Sequence, residues 1–339
     1  MHVPAHAIAP EELQRALDGA QEFSAIILGK KSFKTFDVSG LHADFVRAAM
    51  ARARLAPGAD ETRLAWTRAA RCGAATFLLA RGPAGARLPV PIDERLLVAP
   101  ADPTTATPGV WESAACAAIA SGDPLARWLL LTSPPQTNTP GVVSAPWCAP
   151  FAEALPKLLT GDPTASQALL RAVDATDPDA LQEPLRTVAL DLAAPGLEAL
   201  YRAFADPAGF EGALVKALEH HREHWAGRAA RHEGWVPLLP LAAARLARER
   251  GVRFEVTSEY LPPALLDAPA TAALGCPYCL APIDAAWPSC PSCLETLGND
   301  APFELEPGEL DRVERQPCTA CARRIPRLAV RCPTCRTRQ

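Results

Sequence analysis

The stretch DETRLAWTRAARCGAATF, residues 60–77, decides the fold class of this chain. Four of its apolar or small residues recur at intervals of three or four: Trp66, Ala70, Gly73 and Phe77. Residues with this spacing share one face of a helix, and Asp60 is a typical helix-capping residue. The pattern predicts a helix that buries a tryptophan. The same alanine-rich and leucine-rich composition continues from Glu11 to about Leu266.

Two further stretches have the helical period. One stripe comprises Phe210, Leu214, Leu218, His221 and Trp225, and another comprises Trp235, Leu239, Ala242 and Leu246. Gly251 follows the second stripe, where a helix commonly ends in a left-handed glycine. Asp-Pro dipeptides indicate more helix starts, because Asp caps a helix and Pro fits its first turn. They begin at Asp123, Asp162, Asp177 and Asp206.

Two segments break the helical period. Residues 88–92 alternate apolar residues with prolines, which predicts an edge strand or an extended loop. Residues 252–256 alternate apolar with charged residues, which predicts a short half-buried strand. The stretch from Pro134 to Pro146 is typical of a surface loop, and Pro262 to Leu274 is expected to be a linker.

Eight of the eleven cysteines form Cys-x-x-Cys pairs, which we call knuckles. They are Cys276 with Cys279, Cys290 with Cys293, Cys318 with Cys321, and Cys332 with Cys335. Two intervening residues let both sulfurs reach one metal from a tight turn. We predict two structural zinc ions, the first held within residues 276–293 and the second within residues 318–335. Four thiolates leave no open position on the metal, so metal-assisted hydrolysis is not expected.

Disulfides or redox pairs, and iron in place of zinc, are the competing interpretations of the knuckles. A segment this short needs the binding energy of a metal to fold. The expected organisation is mainly α: a multi-helical domain over residues 1–270 with one or two short strands, then a double zinc ribbon over residues 271–339. The other cysteines are expected to be small core residues: Cys72, Cys116 and Cys148. Four tryptophans are also expected in the core: Trp66, Trp111, Trp128 and Trp235.

The net charge of -4 argues against a chain-wide attraction to nucleic acid. The carboxyl end differs, because residues 312–339 contain eight arginines and one acidic residue, Glu314. This basic end is a candidate contact for nucleic acid or for an acidic protein surface. The alternative is a solvated surface that offsets the negative charge of the tetrathiolate sites.

His220 and His224 are spaced four residues apart, as metal ligands on a helix can be, but no third ligand is apparent. We expect a mixed solvent and core face there. Residues 1–14 have no secretion signal, and apolar runs such as Trp235 to Ala244 are too short to span a bilayer. We therefore expect a soluble cytoplasmic protein with no enzymatic activity, no small-molecule substrate and no membrane partner.

Two groups of residues carry a family resemblance. The first is Leu64, Trp66, Ala69, Ala70 and Phe77, followed by residues 88–92 and by Trp111, Ala114 and Ala115. The second is residues 237–242, followed by Arg248, Gly251, Val252, Phe254, Val256, Ser258, Tyr260, Leu261 and Pro262. Together they resemble the Imm49 family of bacterial immunity proteins over roughly Phe23 to Leu266. The resemblance implies a protein that binds a polymorphic toxin encoded beside it and protects the producing cell or its kin.

Three hypotheses follow. The first is neutralisation of a cognate toxin by stoichiometric binding, with the zinc ribbons as accessory interaction modules. The second is a zinc-ribbon adaptor that binds nucleic acid or the transcription machinery. The third is a metalloenzyme that uses the histidine-bearing helix.

Overall fold

The computed structural model describes most of the chain up to residue 267 and short pieces after it. The described residues are 1–30, 34–80, 87–92, 95–102, 104–133, 135, 144–267, 273–276, 282–283, 290, 303–305, 315–321 and 324–326. The helices are α1 Pro10–Leu28, α2 Thr35–Leu55, α3 Asp60–Ala80, α4 Pro108–Ser121, α5 Pro124–Thr132, α6 Cys148–Leu159, α7 Ala165–Asp174, α8 Leu185–Val188, α9 Ala194–Ala205, α10 Phe210–Trp225, α11 Leu238–Glu249 and α12 Pro263–Leu266. The strands are β1 Arg87–Ile92, β2 Arg95–Pro100, β3 Ala273–Gly275, β4 Pro282–Ile283, β5 Phe303–Leu305, β6 Arg315–Pro317 and β7 Arg324–Pro326.

The predicted mainly helical body is confirmed, and its helices pack around the stripes expected from the sequence. Helix α3 lies between α2 and α4, and α11 packs on both α4 and α9. All four tryptophans assigned to the core are buried, as are Cys72, Cys116 and Cys148. Burying each large apolar side chain stabilises the fold by roughly 1.5–3 kcal/mol. The core of the body therefore runs from α1 through α12.

Helix ends follow the expected chemistry. The Asp123 carboxylate accepts from the Ala126 N–H and caps α5, which begins with Pro124. Asp177 and Asp206 cap short 3-10 helices in the same way. Asp162 differs, because α7 begins three residues later and Asp162 accepts from Thr164 in the turn before it. Gly251 has a φ of 76°, as predicted for the residue that ends α11.

The extended segment at residues 88–92 is confirmed as part of strand β1, which pairs antiparallel with β2. The sequence did not single out β2. The half-buried strand predicted at residues 252–256 is wrong, although Phe254 and Val256 are buried. Among the residues that the structure describes, an isolated bridge between His2 and Thr257 is the pairing that forms beside it. The alternation therefore reflects burial on one side of an extended segment.

The linker predicted from Pro262 to Leu274 is also wrong in its first part. Helix α12 occupies residues 263–266, where Leu265 and Leu266 are buried, and the Ala264 N–H donates to the Pro57 carbonyl. Apolar side chains after Pro262 therefore belong to the helical core. The middle of the predicted linker and most of the surface loop predicted from Pro134 to Pro146 lie outside the described residues.

Candidate functional site

Helix α10 carries His220 and His224, the pair that was a candidate for a metal site, together with His221 of the apolar stripe. His220 is half-buried. The Nε2 of His221 lies 2.8 Å from the Gly234 carbonyl. His224 Nδ1 lies 2.8 Å from Asp191, and its Nε2 lies 2.9 Å from an Arg228 nitrogen. Asp191 reaches His224 from a π-helical turn, Ala189–Ala193. Both nitrogens of His224 thus have partners, and the arrangement holds α10 against the neighbouring segments.

A buried polar cluster joins the amino-terminal segment to Tyr260. The Tyr260 hydroxyl accepts from the His6 backbone N–H at 3.1 Å and lies 2.6 Å from His6 Nδ1. Arg54 donates to the His6 carbonyl at 2.9 Å, and its guanidinium lies 5.4 Å from the centre of the Tyr260 ring. The ring of His221 packs edge-on against the same tyrosine. Tyr260 therefore connects residues from both ends of the helical body.

Burial keeps these histidines neutral. Burial, with a smaller effect from Arg54, lowers the pKa of His6 from its usual 6.5 to about 4. Burial lowers the pKa of His221 to about 3, although its bond to the Gly234 carbonyl opposes the shift. Neutral imidazoles suit the hydrogen bonds that they make here. The cluster stabilises the fold, and its two histidines would become charged only in acid.

A second polar cluster places Glu112 between two cysteines. The Cys148 thiol donates to a Glu112 carboxylate oxygen at 3.0 Å, and Cys116 lies one helical turn after Glu112 on α4. Burial and the nearby Glu112 raise the pKa of both thiols. A thiol with a raised pKa is a poor nucleophile. This environment fits the predicted core role of these cysteines.

An ion cluster fixes the carboxyl end of the helical body. Glu249 lies between two guanidiniums, with Arg127 at 2.7 and 2.9 Å and Arg245 at 2.8 Å. Burial opposes ionisation of Glu249, but the two arginines outweigh it, so its pKa is lowered. Arg245 also donates to the Leu265 carbonyl at 2.7 Å and the Leu266 carbonyl at 3.2 Å. Sequence reasoning missed this cluster because Arg127 lies 122 residues before Glu249 along the chain.

A small apolar hollow lies between α4, α5 and α6. Trp111, Leu130 and Leu155 contribute to its lining, and about 10 Å³ is open to the centre of a water-sized sphere. That is about the room for one water molecule, whereas ligand pockets have volumes of roughly 300–1,000 Å³. The hollow is therefore a packing feature of the core.

The structure describes four of the eight predicted zinc ligands. Cys276, Cys290 and Cys318 are buried, and Cys321 is partly exposed. The other four lie outside the described residues: Cys279, Cys293, Cys332 and Cys335. Among the residues that are described, no three His, Cys, Asp or Glu side chains converge to hold a metal ion. The zinc assignment therefore stays a prediction.

Comparison with known proteins identifies the helical body. The family model described as Imm49, immunity protein 49, matches residues 57–265, which is more than half of the chain. The match spans α3 through Leu265 and includes both groups of residues that carried the resemblance. No curated protein and no solved structure matches the chain. Within the described part of the chain, no helix combines the length and the apolar character needed to cross a bilayer.

Proposed function

The chain belongs to the Imm49 family of immunity proteins, and we propose that it protects a bacterial cell by binding and neutralising a cognate protein toxin. The family match over residues 57–265 is the observation that carries this proposal. Immunity in this proposal depends on surface recognition and involves no turnover. The thiols of the knuckles need a reducing compartment, so the cytoplasm is its proposed place of action.

The polar groups of the helical body support a binding role. His221 and His224 make structural hydrogen bonds, and the Cys148 thiol lies against Glu112 with a raised pKa. These three groups are thus engaged in holding helices together. A stable complex would bury about 800 Å² on each partner. The net charge of -4 would speed the capture of a basic toxin.

Co-expression with the toxin encoded by the neighbouring gene tests the proposal. We expect the chain to restore growth and the two purified proteins to co-elute as a complex. The proposal would be contradicted if the chain is present as folded protein but neither restores growth nor co-elutes with the toxin. An unrelated toxin of the same enzymatic class is the matched control and should still kill.

A titration separates binding from enzymatic inactivation. Adding the chain to a fixed amount of toxin should reduce toxin activity in proportion, with an end point at a fixed stoichiometry. An enzyme that modifies the toxin would inactivate a large excess of it, given time. Stoichiometric neutralisation would therefore be refuted if toxin activity fell progressively with time when the chain is present at a small fraction of the toxin concentration.

The second candidate function is contact with nucleic acid through the basic carboxyl end. Eight arginines against one acidic residue in residues 312–339 favour it. The affinity should then fall steeply with salt, because binding releases counterions. Replacing Arg327, Arg331 and Arg336 by Glu in the full chain should abolish that binding. No detectable binding to DNA or RNA at low salt would exclude this function.

A further inference from the structure

The first and third knuckles lie where short hairpins turn. Strands β3 and β4 pair antiparallel, with Gly275 opposite Pro282, and Cys276 follows β3 directly. Strands β6 and β7 pair antiparallel, with Pro317 opposite Arg324, and Cys318 follows β6 directly. Both Cys-x-x-Cys motifs therefore begin at the end of a hairpin. A tight turn in this position aims two sulfurs at one metal.

The described part of the third knuckle has the hydrogen bond that a thiolate ligand needs. Residues 319–321 form a turn, and the Ala320 N–H lies 3.4 Å from Cys318 Sγ, to which it donates. A backbone N–H that points at a sulfur favours the charged thiolate and orients it. Cys318 is buried, whereas Cys321 is partly exposed. The local backbone is thus arranged for ligation.

The strands of this region are too short to hold the hairpins together alone. Strands β3, β5, β6 and β7 have three residues each and β4 has two. Typical strands have about five or six residues, and small isolated hairpins are at best marginally stable in water. A metal bound by four thiolates supplies such missing free energy in small domains.

The two halves of the cysteine segment differ in their contact with the helical body. Cys276, Ile283 and Cys290 are buried members of the same apolar cluster that contains the core of the body. Strand β4 packs against α5. Arg245 donates to the Leu265 and Leu266 carbonyls, and Leu266 lies ten residues before Cys276 in the sequence. Cys318, although buried, is outside that cluster.

We propose that residues 271–339 bind two zinc ions in sequential tetrathiolate centres, and that the first centre is continuous with the core of the helical body. Cys276, Cys279, Cys290 and Cys293 hold the first ion, and the other four knuckle cysteines hold the second. Neither centre takes part in turnover, because four protein thiolates fill the coordination sphere of the metal. This inference is independent of the identity of the toxin.

Metal content of the full chain tests the number of centres. Elemental analysis should give two zinc ions per chain, and each of the double variants C276S/C290S and C318S/C332S should retain one. C276S/C318S should lose both ions, whereas centres that paired the first knuckle with the third would leave one. Cys116→Ala, which changes a core cysteine outside the knuckles, should retain two. Metal-free protein, bound iron, or one retained ion in C276S/C318S would overturn the assignment.

Thermal melting followed by circular dichroism at 222 nm tests the difference between the centres. C276S/C290S should lower the melting temperature of the helical body by several degrees, because it loosens apolar packing against α5. C318S/C332S should leave that melting temperature within one or two degrees of the parent. Equal shifts in the two variants would refute the proposed continuity of the first centre with the core.

Discussion

Replacing His221 by Gln should make the stability of the helical body less sensitive to acid. Burial lowers the pKa of His221 to about 3, whereas a histidine in an unfolded chain has a pKa near 6.5. The unfolded state therefore binds a proton that the folded state excludes. The contribution of the neutral form is fully present above pH 6.5 and is lost progressively as the pH falls from 6.5 towards 3.

The magnitude follows from linkage. For each pH unit below 6.5, a proton that the folded state excludes lowers the free energy of unfolding by about 1.4 kcal/mol. Between pH 6.5 and pH 5, His221 therefore lowers it by about 2 kcal/mol. His6, with its pKa lowered to about 4, adds a loss of similar size. Carboxylates whose pKa is lowered in the folded state contribute little in this window, because their unfolded pKa values lie near 4. The parent should thus lose about 4 kcal/mol through these two residues.

Urea unfolding at pH 7, 6 and 5, followed by circular dichroism, measures the effect. The free energy of unfolding of His221→Gln should fall with pH by about 2 kcal/mol less than that of the parent over the same range. All other titrating groups are common to both proteins, so the difference in slope isolates His221. His2→Gln, which changes an exposed histidine, is the matched control for the His-to-Gln replacement itself. An unchanged slope in His221→Gln would refute the account of its burial.

Three further substitutions test the packing. In Gly73→Ala the new Cβ would lie 2.5 Å from Ala114 Cβ. We expect this overpacking to outweigh the gain in helix propensity, so that urea unfolding shows a loss of about 1–2 kcal/mol in the stability of the body. Arg245→Leu removes the donors to the α12 carbonyls and one of the two guanidiniums beside Glu249, so the melting temperature should fall, with a cost of about 1–3 kcal/mol. Tyr260→Phe leaves the buried His6 without its hydroxyl partner, so a loss of about 1–3 kcal/mol should appear in the same urea assay. An unchanged midpoint in any one of these variants would contradict the contact assigned to that residue.

The helices could be predicted from the sequence because their signals are local. Spacing alone placed Trp66 and Phe77 on one buried face, and the capping preference of Asp located the start of α5 at Asp123. A strand cannot be predicted from a local pattern alone, because it forms only when it pairs with another strand. Residues 252–256 have the right alternation, yet within the described part of the chain the segment that runs beside them is the short one around His2. Their burial was predictable, and their secondary structure was not.

The polar clusters were beyond sequence reasoning for a related reason. Arg127 and Glu249 are 122 residues apart, and His6 and Tyr260 are 254 apart. Neither pair belongs to a sequence motif, so no residue spacing predicts that its members are in contact. The nearest sequence signal was the Tyr-Leu-Pro run that contributed to the family resemblance. The structure indicates why a tyrosine suits that run, because its hydroxyl closes a buried hydrogen-bond network.

The attachment of the cysteine segment bears on how immunity would be organised. The family match ends at residue 265, and Arg245 holds the Leu265 and Leu266 carbonyls. The cysteine segment thus starts from a fixed point on a body that already contains the whole matched region. If the body alone recognises the toxin, replacing Arg327, Arg331 and Arg336 by Glu should leave growth rescue intact. Loss of rescue with the zinc content unchanged would instead assign toxin contact to the basic end, because the fold of the variant would be preserved.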